Sequence, residues 1–310
     1  MKHTTIIIAV GLALAATLSA APAQAQNARS FVSPTGSDAA ACTLAAPCRT
    51  FAVAISKTNA GGEIDILGTA GYGSFTIDRP ISIVNPGGVE AGIAVGSGGT
   101  GITINAGFGA TVILRGLTIE GAGVGLYGIN FTGSGSLEII DCVVRNFTGS
   151  GIFVEPSNTT KLLISNTFVL DNGNAGIYLA SQTISAVQVV TIDRVTVNNN
   201  NYGIYMDLPP GGSPEIVGTI TNSIINNNTT AGLTVTRGLT VLHVKNVTIF
   251  GSTTGILLNA AAELYLSHSM ILENGTGINI VAGFVYSAGN NDINANGTPV
   301  NGTLGSAPEL

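Results

Sequence analysis

The stretch 190–197, Val-Thr-Ile-Asp-Arg-Val-Thr-Val, is one of seven in this chain that lie under one another without gaps. The others are VILRGLTI from Val112, LEIIDCVV from Leu137, LLISNTFV from Leu162, GTITNSII from Gly218, LHVKNVTI from Leu242 and LYLSHSMI from Leu264. Their fifth column reads Gly116, Asp141, Asn166, Arg194, Asn222, Asn246, His268, at spacings of 25, 25, 28, 28, 24 and 22 residues. Each stretch is followed by a polar turn and then Gly-Ile or Gly-Leu. Apolar residues alternate, so the segments are strands; a helix needs them three and four apart. A repeat of this length with short apolar strands and an Asn-rich turn is one coil of a solenoid.

Three apolar columns follow from the alignment. The first strand supplies Leu114, Ile139, Ile164, Ile192, Ile220, Val244 and Leu266, and the column three beyond the Asn position runs from Ile119 to Ile271. The Gly-Ile strand supplies Ile129, Ile152, Ile177, Ile204, Leu233, Ile256 and Ile278. Three inward columns imply an all-β fold of three stacked parallel sheets, like over like at ~4.8 Å. Each buried aliphatic contributes about 1.5–3 kcal/mol, enough in sum to offset the ordering of long turns. Asn suits the turns because it tolerates left-handed backbone and can bond along the stack. Cys142 falls in a small inward column and reads as a buried thiol.

The ends differ. Lys2 and His3, an apolar run over 4–21 and Ala23-Gln24-Ala25 have the form of a secretory signal peptide, with cleavage expected after residue 25. Export is therefore expected, to the periplasm, the medium or the cell surface. No other stretch approaches a transmembrane length. Residues 26–60 form a separate opening segment. Phe31-Val32 is a strand, and 47–57 reads as a short helix with Pro47 in its first turn and Phe51, Ala54 and Ile55 on one face. A solenoid must cover its open end, and this helix is the expected N-terminal cap. Cys42 and Cys48 lie close together in an exported chain, which favours a disulfide, with free thiols or a metal pair as the alternatives. The solenoid is expected over 61–295, with 296–310 as a C-terminal tail.

This pattern resembles the right-handed parallel β-helix proteins, the superfold of pectate lyases and polygalacturonases, over about residues 61–295. Thr35-Gly36-Ser37 and Pro47-Cys48-Arg49-Thr50-Phe51 also look like the opening of bacterial exported β-helix proteins. The resemblance implies a substrate cleft along the outer face of the Gly-Ile strand. The aspartates of the polygalacturonase patterns are missing there: the chain reads Thr148-Gly149-Ser150-Gly151, Gly173-Asn174-Ala175-Gly176 and Asn200-Asn201-Tyr202-Gly203. Two-carboxylate hydrolysis loses its players, and a calcium-dependent lyase, the only reading that would call for a cofactor, lacks a carboxylate cluster.

Aromatic residues stand on that face instead. Phe153, Tyr178 and Tyr205 share an outward column on successive coils, and Glu155 and Asp207 occupy the next one. Such a ladder could hold a sugar chain; aromatics also favour strands and pack on each other, and both readings stay open. A second outward face carries Asp193, His243, Lys245 and Tyr265, with Asp193 two coils from the other charges. No His, Cys or Asp group has metal-ligand spacing. Net charge is −6, only 9% of residues are charged and no basic run exists, which argues against a nucleic-acid partner. Extracellular polysaccharide is the expected partner. A polysaccharide lyase or glycoside hydrolase, or a purely structural surface protein, are the alternatives.

Overall fold

The computed structural model describes residues 27–209 and 215–307; the expected signal peptide lies outside the described residues. The chain winds as a parallel solenoid of about nine turns. Every strand pairing is parallel, and the register joins each coil to the next. Ile139, Ile164, Ile192, Ile220 and Val244 are stacked partners in that register. All three apolar columns are at most 1% exposed along their whole length. They form one continuous core, and Cys142, 0% exposed, sits within it. Burial pushes its thiol up to about 11, so it stays protonated and inert.

Hydrogen bonding groups the strands into a twenty-stranded sheet and a nine-stranded sheet. The nine-stranded sheet is the column from Ala70–Gly71 to Met270–Leu272. The larger sheet holds the other two columns. Thr254–Ser267 runs through the bend between them without a break, pairing with Ala231–Arg237 on one side and Leu239–Lys245 on the other.

The recurrent Gly of Gly-Ile has a steric cause. The Gly-Ile strands place two buried residues in succession, as in Tyr202–Asp207, so the first of the two faces the neighbouring coil. A Cβ on Gly203 would lie 2.5 Å from the Gly232 carbonyl oxygen, and one on Gly255 would lie 2.5 Å from that of Gly277. Only hydrogen fits there.

The six coils from Asp141 to His268 each have two left-handed corners. The first is the column read from sequence: Gly116, Asp141, Asn166, Arg194, Asn222, Asn246 and His268 all have φ between 48° and 71°. The second holds Asn146, Asp171, Asn199, Asn227, Gly251, Glu273 and Ala295. Directly after it runs a buried amide ladder. Asn200 is 1% exposed; its Oδ1 accepts from the Asn172 backbone N–H at 3.0 Å and from Asn172 Nδ2 at 2.9 Å. Asn228 receives the same two bonds from Asn200, and Asn296 receives them from Asn274. Ser252 fills one rung, its Oγ accepting from the Asn228 N–H.

The opening segment carries the Cys42–Cys48 disulfide, both residues fully buried. The helix is Phe51–Lys57, shorter than the expected 47–57. The Cys48 N–H donates to the Phe31 carbonyl, and those of Arg49 and Thr50 donate to Asp38, so the chain is extended up to the Thr50 N-cap. Phe51, Ala54 and Ile55 are buried, and the Phe51 ring packs on Tyr72 and Phe75 at 5.1 and 4.9 Å. At the other end Thr298–Asn301 and Leu304–Ser306 pair in parallel with Thr276–Ser287.

Non-reducing mass spectrometry should give a mass two hydrogens below that of the reduced chain. Reduction should cost about 2 kcal/mol, because the closed loop is short. Two free thiols at Cys42 and Cys48 would contradict the bond.

Candidate functional site

The Gly-Ile strands bring Phe153, Tyr178 and Tyr205 into direct register: Phe153 is the partner of Tyr178, and Tyr178 of Tyr205. Their ring centroids are 5.0 and 4.9 Å apart, and all three are half-buried. Two further rings flank the row, Tyr127 from the coil before Phe153 and Tyr202 from the same strand as Tyr205. Tyr127 stacks on Phe153 at 5.0 Å, and Tyr202 stacks on Tyr205 at 4.7 Å. Strict alternation from Ile129 and Ile204 would turn Tyr127 and Tyr202 inward. The double-buried Gly-Ile step breaks the alternation and turns them outward, so the Gly before Ile was the signal for them.

The rings are close enough that each spends much of its face on its neighbours. The outer pairs are stacked at 25°, and the two pairs that include Tyr178 are tilted at 50° and 57°. In the same column, one coil beyond each end of the three-ring core, lie Asn130 and Thr234. Asn130 Oδ1 and Thr234 Oγ1 are buried without a hydrogen-bond partner.

Asp207 is held differently from the sequence expectation. A bulge after Met206 pairs its backbone with Arg237, a residue the column alignment does not reach. Arg237 grips the carboxylate with both Nε and Nη2, the latter at 2.6 Å. Thr236 Oγ1 donates to Oδ1 at 2.9 Å and the Tyr178 hydroxyl to Oδ2 at 3.3 Å. Four donors occupy the roughly four lone-pair sites of a carboxylate. The Arg237 bonds hold Asp207 below the usual carboxylate range. Burial, joined by the Asp207 charge, pushes the Tyr178 phenol well above its ordinary value. Asp207 is thus a fixed structural anion, neither a proton acceptor nor a spare acceptor for sugar hydroxyls. Glu155 borders the row at the Phe153 coil, half-buried, its backbone N–H on the Phe131 carbonyl.

On the second face, Asp193 is separated from Lys245 by Thr221 in the register. Its carboxylate takes Thr221 Oγ1 and Asn222 Nδ2, each at 2.8 Å, and pairs with Arg194 at 2.7 Å. Partial burial raises its pKa, but these donors and the Arg194 charge carry it below the usual range. His243 stacks on Tyr265 at 4.9 Å, and Tyr265 on Tyr286 at 5.1 Å. The Tyr265 hydroxyl donates to Glu263. A hollow of about 400 Å³ beside them is lined by Thr221, Asn222, Lys245, Asn246 and His268. Asp193 and His243 thus each have partners of their own, and Thr221 stands between Asp193 and Lys245 in the ladder. Among the described residues, no three His, Cys, Asp or Glu side chains stand close enough to hold a metal ion, and no helix is long and apolar enough to cross a membrane.

A protein-family model described as "Right handed beta helix region" matches residues 87–208. No curated protein matches the chain by sequence. Among solved structures, the chain is similar to pectate lyase Pel9A, with a TM-score of 0.70 over 90% of this chain and 78% of that one, at 14% identity. It is also similar to the Dettilon tailspike protein, with a TM-score of 0.50 and 13% identity over 78% of this chain and 55% of that one. With the parallel register of the coils, these likenesses identify the chain as a right-handed β-helix protein.

Proposed function

We propose that this chain is an exported β-helix that binds extracellular polysaccharide along the row of rings from Tyr127 to Tyr205. The observation that carries the reading is the in-register ladder itself. Its steps of 4.9–5.0 Å from coil to coil are comparable with the rise of a sugar unit. A carbohydrate polymer is also what a pectate lyase acts on, as that neighbour's name states. Binding is favoured over lyase or hydrolase chemistry because Asp207 is saturated by Arg237, Thr236 and Tyr178.

The same reading takes each coil as three-faced, with Phe51–Lys57 as the plug of the N-terminal end. The buried Phe51 face and its packing on Tyr72 and Phe75 support the plug. Export by residues 1–25 fits the disulfide, which persists in an oxidising compartment.

Affinity electrophoresis or calorimetry against a panel of glycans tests the proposal. Tyr178→Ala with Tyr205→Ala should weaken binding about tenfold or more, since each ring contact is worth about 0.5–1.5 kcal/mol. The same contacts brace the strip, so the variant should melt lower but still cooperatively. Tyr178→Phe keeps the ring and should bind within about twofold, by the same scale. Unchanged binding by the double variant would sink the proposal. An unsaturated product seen by ultraviolet absorbance, abolished by Glu155→Gln or Asp207→Asn, would decide for a lyase.

A further inference from the structure

The outer face of the strands Gly135–Ile140, Thr160–Ser165, Val187–Asp193, Glu215–Thr221 and Leu239–Lys245 is open, and it has an internal symmetry. One outward column, read coil by coil in register, is Lys161, Val189, Val217, Val241, Glu263. Charges of opposite sign end it, and three valines fill its centre. Val189 is 43% exposed, far from the burial typical of valine. The column two residues along, Leu163, Thr191, Thr219, His243 and Tyr265, is uncharged apart from its histidine and has apolar bodies at both ends. The third has Asp193, Thr221 and Lys245, again opposite charges about a neutral centre.

All three columns are centred on the same strand, Glu215–Thr221. We propose that this face is the interface of a homodimer, with a second copy packed across a two-fold axis running along that strand. Such an axis keeps the strand direction and reverses the order of the coils, so each column meets itself head to tail. Lys161 then faces Glu263 of the other copy, Asp193 faces its Lys245, and Val189 faces its Val241. Val217, Thr219 and Thr221 meet their own copies on the axis. A two-fold contact of this kind must be self-complementary, and a column with unlike charges at its two ends satisfies that condition.

The size is adequate. The ladder continues one coil either way, to Glu138 and to Tyr286 with the 60% exposed Phe284. Seven coils of strands six to seven residues long cover roughly 34 by 20–23 Å, about 680–780 Å², from strand spacing and rise. Each partner of a stable complex buries about 800 Å². Sheets pack face to face when their outward side chains interdigitate, and the centre of this face is Val and Thr. One contact opposes the arrangement: Glu215, at the edge of the central strand, meets its own copy.

Sedimentation equilibrium of the full chain over a range of concentrations tests the dimer, with circular dichroism to confirm folding. The expected result is twice the 31.2 kDa chain mass, less any removed leader. Val217→Lys places like charges face to face on the axis and should give a folded monomer. Lys161→Glu should weaken association at least tenfold, and adding Glu263→Lys should restore it, because the swapped pair meets again in the other copy. Glu215→Gln should tighten it. A monomer at all concentrations, a different stoichiometry, or a dimer indifferent to Val217→Lys and to the charge swap would overturn the proposal. The face lies on different strands from the ring row, so this outcome is independent of glycan binding.

Discussion

Ile192→Asp is expected to abolish folding. Ile192 is 0% exposed and stacks between Ile164 and Ile220 in the parallel register. A carboxylate there would have no partner, because every neighbour in the column is aliphatic. Protonation relieves the charge but leaves a buried polar group unpaired, at about 2–7 kcal/mol, on top of the lost packing. That approaches the whole stability of a typical protein, about 5–15 kcal/mol. The variant should yield no cooperative unfolding transition. Thr191→Asp, one residue away and exposed, should fold normally. A folded Ile192→Asp protein would mean that the columns do not face a dry interior.

The second large effect is expected from Asn200→Leu. Its side chain is isosteric enough to fit but cannot continue the amide ladder. The Asn172 backbone N–H and Nδ2 would both lose their acceptor, and the Asn198 carbonyl would lose a 3.1 Å donor. Buried groups left unpaired cost about 1–3 kcal/mol each, so a loss of about 3–9 kcal/mol follows. The thermal midpoint should drop by about 10 °C or more. Asn200→Ser should be milder, because Ser252 already serves as a rung and accepts from the Asn228 N–H. Equal midpoints for the Leu and Ser variants would show that the ladder contributes little.

The legibility of this ladder in the sequence was limited for a physical reason. Asn172, Asn200, Asn228 and Asn274 look like any other turn asparagines, and polarity alone places them outside. They are buried because a left-handed residue just before each one turns the next amide inward, where it bonds the coil beside it. The first corner was readable because its column is aligned with the strands on both sides. The helix start was misplaced at Pro47 since proline suits a first turn, whereas Asp38, eleven residues before Arg49, holds that stretch extended.

What the sequence by itself determined is the solenoid and its inside. Aliphatic residues recurring at fixed offsets can be buried in only one way when strands stack in parallel, so the columns of Leu114, Ile119 and Ile129 were legible as a core. It also placed Phe153, Tyr178 and Tyr205 in one row, since register follows from the repeat. Tertiary structure alone decided the chemistry of that row. Arg237 reaches Asp207 across a bulge, and a bulge shifts register by one residue without any periodic trace. Tyr127 and Tyr202 face outward because a glycine lets two successive residues turn inward where coils nearly touch. Periodicity records which side of a strand is dry. The distances between neighbouring coils, which decide what each polar group is bonded to, appear only when the chain has closed on itself.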